Sequence, residues 1–364
     1  MGSNAIVEYL PFNLLRTTLI IPENKYAIAI SENEPCGVFS GMTVQQSSLS
    51  GKKIPDGLLI IPKNANLEAN LIAYSKERYA VPTNVRFEIN IPGKDEASTF
   101  AKWAMSENKL LTATELADLL TPELTAPVRQ ILVNYAVEEL SVLSAQKVTE
   151  DLERNNIADK SAEIRKTYGL SINTISLNIN YQYLKFQIAR KFFELELKKD
   201  HTDIDHRELD RYANQFELLD AASKGKKLSL EDKSYLRQLV HQQDVRVTKK
   251  EIARPIVAQL KTELQSYISA KTMPCSEAYF LQAMLNIPQE DYTGAINAFN
   301  QGLKSKKDAS AFYFRGKCFI WSDPTKLGNL KNAASDLKNA FELGYMVPQQ
   351  EIRDIEYRIG VLKR

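Results

Sequence analysis

Cysteine, histidine and long apolar runs are all scarce in this chain of 364 residues. The three cysteines, Cys36, Cys275 and Cys318, are widely spaced and form no CxxC pair. That number and spacing exclude a disulfide framework and point to a reducing compartment. Of the three histidines, His201, His206 and His241, two gather in "KKDHTDIDHRELD", where His201 and His206 flank Asp203 and Asp205. The spacing fits neither an i,i+4 histidine pair nor an EF-hand loop, so the stretch reads as a solvated helix face or a helix-start loop. No apolar run reaches the roughly 18 residues needed to cross a bilayer. The glycine-rich signatures GxxxxGK[ST], GxGxxG and GxSxG are all missing, which removes the familiar nucleotide and hydrolase motifs.

Charge of one sign is also lacking. With 47 basic and 45 acidic residues the formal net charge is +2, so nothing pulls the whole chain toward nucleic acid or an anionic membrane. The short basic clusters "KGKKLSLEDK" and "KSKKD" sit beside acidic residues without interleaved aromatics, so they read as solvated loops and not as base-stacking surfaces. "SLSGKKIPDG", with Gly51, Lys52 and Lys53, has no helix behind it and reads as a hairpin turn. Cys36 follows Pro35 at a turn with no histidine near it in sequence, which argues against a catalytic thiol. The start carries no basic segment ahead of an apolar core. Met1–Ala5 is either native or a cloning remnant. "VEYLPFNLLRTTLIIP" reads as a strand edge in preference to a membrane-surface segment.

What is there implies two or three domains. Residues 14–92 alternate as β-strands: Thr17–Ile21, Tyr26–Ile30, Val38–Phe39 after a turn at Asn33, Glu34 and Pro35, and at least three more. The last runs from Asn84 to Ile91, with Val85, Phe87, Ile89 and Ile91 on one face. From about residue 95 the period becomes helical. Thr112 and Glu115 have the spacing of a capping box, and Gly169 fits a helix end. The stretch "YGLSINTISLNINY" then returns to strand. Its apolar parity slips at Asn173-Thr174, which predicts a bulge. Helix resumes near residue 182 and continues to the C-terminus, with Gly225 in a loop, a helix start at Ser229 and Asp232, and both Trp103 and Trp321 on apolar faces as core residues.

Two resemblances follow from these residues. "SEAYFLQAMLNIPQEDYTGAINAFNQGLKSKKD" and "ASAFYFRGKCFIWSDPTKLGNLKNAASDLKNAFELGY" repeat a two-helix unit near a 34-residue period. They resemble tetratricopeptide repeats. Ala283 and Gly316 take the small position of the first helix. Tyr292, Ala295, Phe299 and Leu303, and then Ala333, Leu337, Ala340 and Leu343, take the second, while Phe312 and Phe319 share a face with Gly316. The second copy has a long inter-helix loop at "SDPTKLGN". Helix 250–271 is expected to cover one end of the stack and helix 349–363 the other. The N-terminal half, in the order "PENKYAIAISENEPCGVFSG", "YAVPTNVRFEINIP", "LTPELTAPVRQILVNYAVEELS" and "YGLSINTISLNI", resembles the SPFH or band 7 domain of stomatin, prohibitin and flotillin relatives. The membrane segment and the long coiled coil usual in that family have no counterpart here.

The expected fold is therefore an α+β domain over 15–185, in which mixed or antiparallel strands precede helices. A charged helical connector over 186–250 follows, then an all-α domain of helical hairpins over 251–364. The SPFH resemblance implies a scaffold that self-assembles into a homo-oligomer. The repeats imply recruitment of a protein or peptide partner on an inner surface formed by first helices. The polar residues offered there are Gln282, Asn286, Arg315 and Lys317, the last two suited to hold a carboxylate. The alternatives are a monomeric or dimeric peptide-binding adaptor, and an enzyme whose site no motif reveals. No catalytic residue, cofactor, metal or nucleic-acid partner is expected. The expected location is the cytoplasm, with peripheral contact at the inner face of a membrane as the second option.

Overall fold

The computed structural model describes residues 8–11, 18–45, 56–106, 113–142, 147, 150–151, 154, 158–197, 202–225, 249–270 and 274–363. The chain divides into two compact units, Met1–Asn180 and Tyr181–Arg364. The first is a strand-rich region followed by helices, and the second is helical, so the chain is α+β and then all-α.

In the first unit β1 (Glu8–Pro11), β6 (Gly57–Pro62), β3 (Lys25–Ser31) and β4 (Glu34–Phe39) form one antiparallel sheet in that order. A two-stranded sheet pairs β2 (Thr18–Ile21) with β5 (Met42–Gln45). Ile21, Ala27, Ala29, Val44 and Leu58 make their shared core. The turn between β3 and β4 is tighter than the sequence suggests. Only Glu32 and Asn33 form it, with φ of 53° and 64°, the left-handed pair that matches the twist of a two-residue hairpin. Pro35 lies inside β4, an edge strand, where its missing N–H leaves no inner ladder bond unmade. The register passes from Ala29↔Gly37 to Ile30↔Pro35, so Cys36 is the extra residue of a bulge, and its thiol donates to the Ala29 carbonyl at 3.3 Å.

A second sheet orders β7 (Asn64–Tyr74), β8 (Ala80–Asn90) and β9 (Ser171–Ile179). Alternation builds its core. Leu67, Leu71, Val85, Phe87 and Ile89 are buried, while Glu68 and Arg86 pair across the solvent face at 2.7 Å. Each such large apolar side chain contributes roughly 1.5–3 kcal/mol on burial. The helices of this unit are α1 (Lys94–Ser106), α2 (Ala113–Leu132), α3 (Val137–Val142) and α4 (Ala158–Tyr168), and α2 packs on β7. The parity slip in β9 is a bulge. Glu88 pairs with Thr174 and Ile89 with Ile172, leaving Asn173 unmatched. Gly169 ends α4 at φ +70°, and a Cβ there would lie 2.1 Å from the Glu96 carbonyl oxygen of α1. Only glycine meets both demands. Thr112, Ser229, Asp232 and the Gly51–Lys53 turn lie outside the described residues.

The second unit opens with α5 (Tyr181–Glu196) and α6 (Asp203–Ser223). These two helices pack together, and α5 also packs on α8 (Ser276–Asn286). The stretch expected as a connector therefore holds part of the helical core. Gly225 follows α6 at φ +64°. The helix α7 (Lys249–Ser269) packs on α8, and its Tyr267 ring meets Phe186 of α5 edge to face at 5.3 Å. Two hairpins follow, α8 with α9 (Tyr292–Ser305) and α10 (Ala309–Ser322) with α11 (Leu327–Glu342). Their small residues set the spacing. Ala283, Ala295, Ala333 and Ala340 are fully buried, and a Cβ at Gly302 would lie 2.4 Å from the Phe280 ring. The last helix, α12 (Gln349–Leu362), closes the stack with Ile352, Ile355 and Ile359 against Leu330, Leu337 and Ala340. Two expectations are corrected. Leu343 is half-exposed at the end of α11, and Trp321 is 39 % exposed, not core. Trp103 is partly buried, between Phe100 and Tyr168.

Candidate functional site

A charged interior surrounds Arg190 of α5. Its side chain is 4 % exposed. The guanidinium uses every N–H it has. Nε donates to Glu194 Oε1 at 2.7 Å, and Nη1 donates to Glu277 Oε2 at 2.9 Å and Asp308 Oδ2 at 3.1 Å. Nη2 donates to Asp308 Oδ1 and Ser310 Oγ. The Phe280 ring lies beneath it at 4.6 Å. Lys191 adds a bond to Glu194 at 2.9 Å, and Lys306 reaches Glu277. Three cations thus meet three carboxylates. Asp308 also caps α10 by accepting from Ala311 N at 3.0 Å. Burial pushes the Glu194 and Asp308 carboxyls up, but the Arg190 charge outweighs it and holds both below the usual range.

A second buried cation, Lys185, lies one turn earlier on α5. Its ammonium binds Asp220 Oδ1 of α6 at 2.9 Å and Glu263 Oε2 of α7 at 2.5 Å. Burial raises the Asp220 carboxyl, and Lys185 with Lys224 more than reverses this. Both cations face fixed carboxylates in dry surroundings. Such groups hold helices in register, and their loss is expensive because a partner charge is stranded. Sequence reasoning missed them. The available signal was three cations, Lys185, Arg190 and Lys191, inside the largely apolar run "YLKFQIARKFF", the first two at positions that cannot remain buried without carboxylates opposite.

The four residues expected to meet a partner separate into two pairs. Arg315 makes a two-pronged bond to Asp336, Nε to Oδ2 at 2.8 Å and Nη2 to Oδ1 at 2.6 Å, with Nη1 on Asn300 Oδ1 at 2.6 Å. Burial raises the Asp336 carboxyl by more than Arg315 lowers it. Lys317 binds Glu351 of α12 and lies over the rings of Tyr313 and Trp321 at 5.9 and 5.7 Å. The carboxylates that these two residues hold are the chain's own. Gln282 and Asn286, in contrast, line an open groove of about 490 Å³ between α7 and α8.

The facing wall of that groove is one stripe of α7: Lys261, Thr262, Gln265, Ser266 and Ser269. The lining therefore offers three amides, three hydroxyls and one ammonium, without a carboxylate. Lys261 Nζ donates to the Gln289 Oε1 amide oxygen at 2.9 Å, a neutral partner. The remaining polar candidates are structural. Thr202 caps α6, with Asp205 N donating to Thr202 Oγ1 at 3.2 Å and Thr202 N donating back to Asp205 Oδ2 at 2.9 Å. Of the two readings of the "HTDIDH" stretch, a helix face or a helix-start loop, the structure shows the helix start. Burial pushes the Cys318 thiol up to about 12. Among the described residues no helix is long and apolar enough to cross a membrane, and no group of three metal-binding side chains converges.

Comparison of the chain with family models and with curated proteins finds no match.

Proposed function

We propose that the chain is a non-enzymatic scaffold. Its N-terminal unit self-associates in the manner of the SPFH-type domains it resembles, and its helical unit, built of hairpins like tetratricopeptide repeats, recruits a protein partner. The supporting observation is the groove between α7 and α8. Its amides, hydroxyls and single ammonium carry no ion pair, whereas the buried cations beside it are consumed by internal carboxylates. Lys261 and Gln282, which carry no ion pair and are at least partly exposed, are the groups offered to a ligand.

Two measurements on the full chain test this. Mass photometry at micromolar concentration, with and without anionic vesicles, is expected to give assemblies larger than a dimer. A monomer or dimer throughout removes self-assembly and leaves the adaptor role alone. Affinity capture is expected to return a partner with the wild-type chain that a Lys261→Glu, Gln282→Ala variant loses. Equal capture by both would place recruitment elsewhere.

A further inference from the structure

Helix α12 presents two opposite stripes. Ile352, Ile355 and Ile359 pack with Leu330, Leu337 and Ala340 of α11. The stripe facing away holds Gln350, Asp354, Tyr357 and Val361, at i, i+4, i+7 and i+11, the spacing of a seam between two paired helices. All four are exposed, Tyr357 to 75 % and Val361 to 54 %. Met346, also exposed, precedes the helix at the Gln350 end. The water-facing side of an outer helix in a stack of hairpins is ordinarily polar. A tyrosine, a valine and a methionine along that side mark a contact surface.

Charge selects the occupant. At 3.6 residues per turn, Glu351 and Arg358 flank the stripe on one side and Arg353 flanks it on the other. Against a second copy running parallel, Arg353 would meet the second copy's Arg358, a like-charge clash. Running antiparallel, Glu351 meets the second copy's Arg358, and the two-fold axis repeats that ion pair. Both side chains keep atoms for it. Lys317 takes Glu351 Oε1 and leaves Oε2. The Pro324 carbonyl accepts from Arg358 Nη2 at 2.6 Å and leaves Nη1 and Nε. The same register sets Asp354 beside the second copy's Tyr357, and Gln350 beside its Val361. Gln350 Nε2 donates to Asp354 Oδ1 at 2.7 Å, which leaves Oδ2 for the tyrosine hydroxyl. We infer that α12 pairs antiparallel, in this register, with α12 of a second copy of the chain. The contact lies in the helical unit, so it goes beyond self-association of the N-terminal unit and does not rest on it. A pair of 14-residue helices, about 21 Å long, is a small interface, and the pairing is expected in the micromolar range.

The test is disulfide trapping on the full-length chain. Gln350→Cys and Val361→Cys are made as separate variants, mixed at about 100 µM and oxidised. Mass spectrometry of the linked peptides separates the new links from any through Cys36, Cys275 or Cys318. The mixture is expected to link position 350 to position 361, which the antiparallel register makes neighbours. Neither variant alone is expected to link to itself, because like positions lie about 16 Å apart along the axis, beyond the reach of a disulfide. Tyr357→Glu, added to both variants, sets a carboxylate beside the second copy's Asp354 and is expected to lower the yield about tenfold. Adding Asp354→Lys is expected to restore it. These side chains are exposed, and circular dichroism checks that the variants fold. Links of 350 to 350 and of 361 to 361 in the separate variants would overturn the antiparallel pairing. Absence of the 350 to 361 link, or a yield that Tyr357→Glu leaves unchanged, would overturn the contact altogether. Mass photometry of the same samples reads assembly through the N-terminal unit independently.

Discussion

Arg190 and Lys261 are both cations on helices that pack against α8, and their surroundings differ in one respect that separates structure from binding. Arg190 is buried with every N–H donated, most of them to carboxylates. Lys261 lies at a groove with one neutral amide for a partner. A charge placed in a dry interior must be neutralised by the fold itself, because nothing else will reach it. A charge left at the surface without an acid is tolerated by water and remains available. The difference predicts opposite consequences for substitution: at Arg190 the fold loses stability, and at Lys261 only binding fails.

The comparison breaks hardest at Arg190. Arg190→Ala strands Glu194, Glu277 and Asp308 together, and is expected to cost about 3–5 kcal/mol. In a unit of this size that lowers Tm by roughly 10 °C, read by thermal unfolding in a calorimeter. A shift below about 2 °C would mean that the cluster does not hold the helices.

Gly169→Ala tests the other unit. The residue sits at φ +70° against the Glu96 carbonyl, so a loss of about 2 kcal/mol or more is expected in chemical denaturation. An unchanged midpoint would contradict the close approach of α4 to α1.

Acid acts on the Arg190 cluster directly. Glu194 and Asp308 have carboxyls held below their ordinary values of 4.5 and 3.8. Groups depressed in the fold give their full stabilisation above the unfolded values, and it declines as pH falls toward the folded ones. Stability of the helical unit is therefore expected to be level above about pH 5.5 and to fall progressively below 4.5. Arg190→Met, which removes the partner charge, is expected to flatten that slope in acid titrations followed by circular dichroism.

Smallest in stability is the groove. Lys261→Glu and Gln282→Ala are expected to move unfolding free energy by no more than about 0.5 kcal/mol, measured in urea. A larger loss would assign these side chains to the fold.

Much of the architecture was legible because it is written in periods. Alternation located β8 through Val85, Phe87 and Ile89, the slip at Asn173-Thr174 located the bulge, and the small residues at Ala283, Ala295 and Ala333 located the hairpins. The bulge at Cys36 was not visible. Pro35 read as a turn, yet an edge strand absorbs a proline, and the turn itself needs only Glu32 and Asn33. Trp321 read as core from helical spacing, which gives the face of a residue but not whether a neighbouring element covers it.

The site was less legible for a related reason. Sequence reasoning chose Arg315 and Lys317 as charges and Gln282 and Asn286 as amides on the same helical surface. Which of them stay available depends on acids brought from elsewhere in the chain. Asp336 lies 21 residues from Arg315 and Glu351 lies 34 from Lys317. A pairing over such distances has no local signature. Lys261 escaped notice because its importance lies in the acid it lacks.

The most direct test of this division is to measure capture of the protein partner by wild type and by the Lys261→Glu, Gln282→Ala variant while recording the Tm of both. The account predicts loss of capture at an unchanged Tm. Equal capture by the two proteins, or a loss of capture that tracks a fall in Tm, would contradict it.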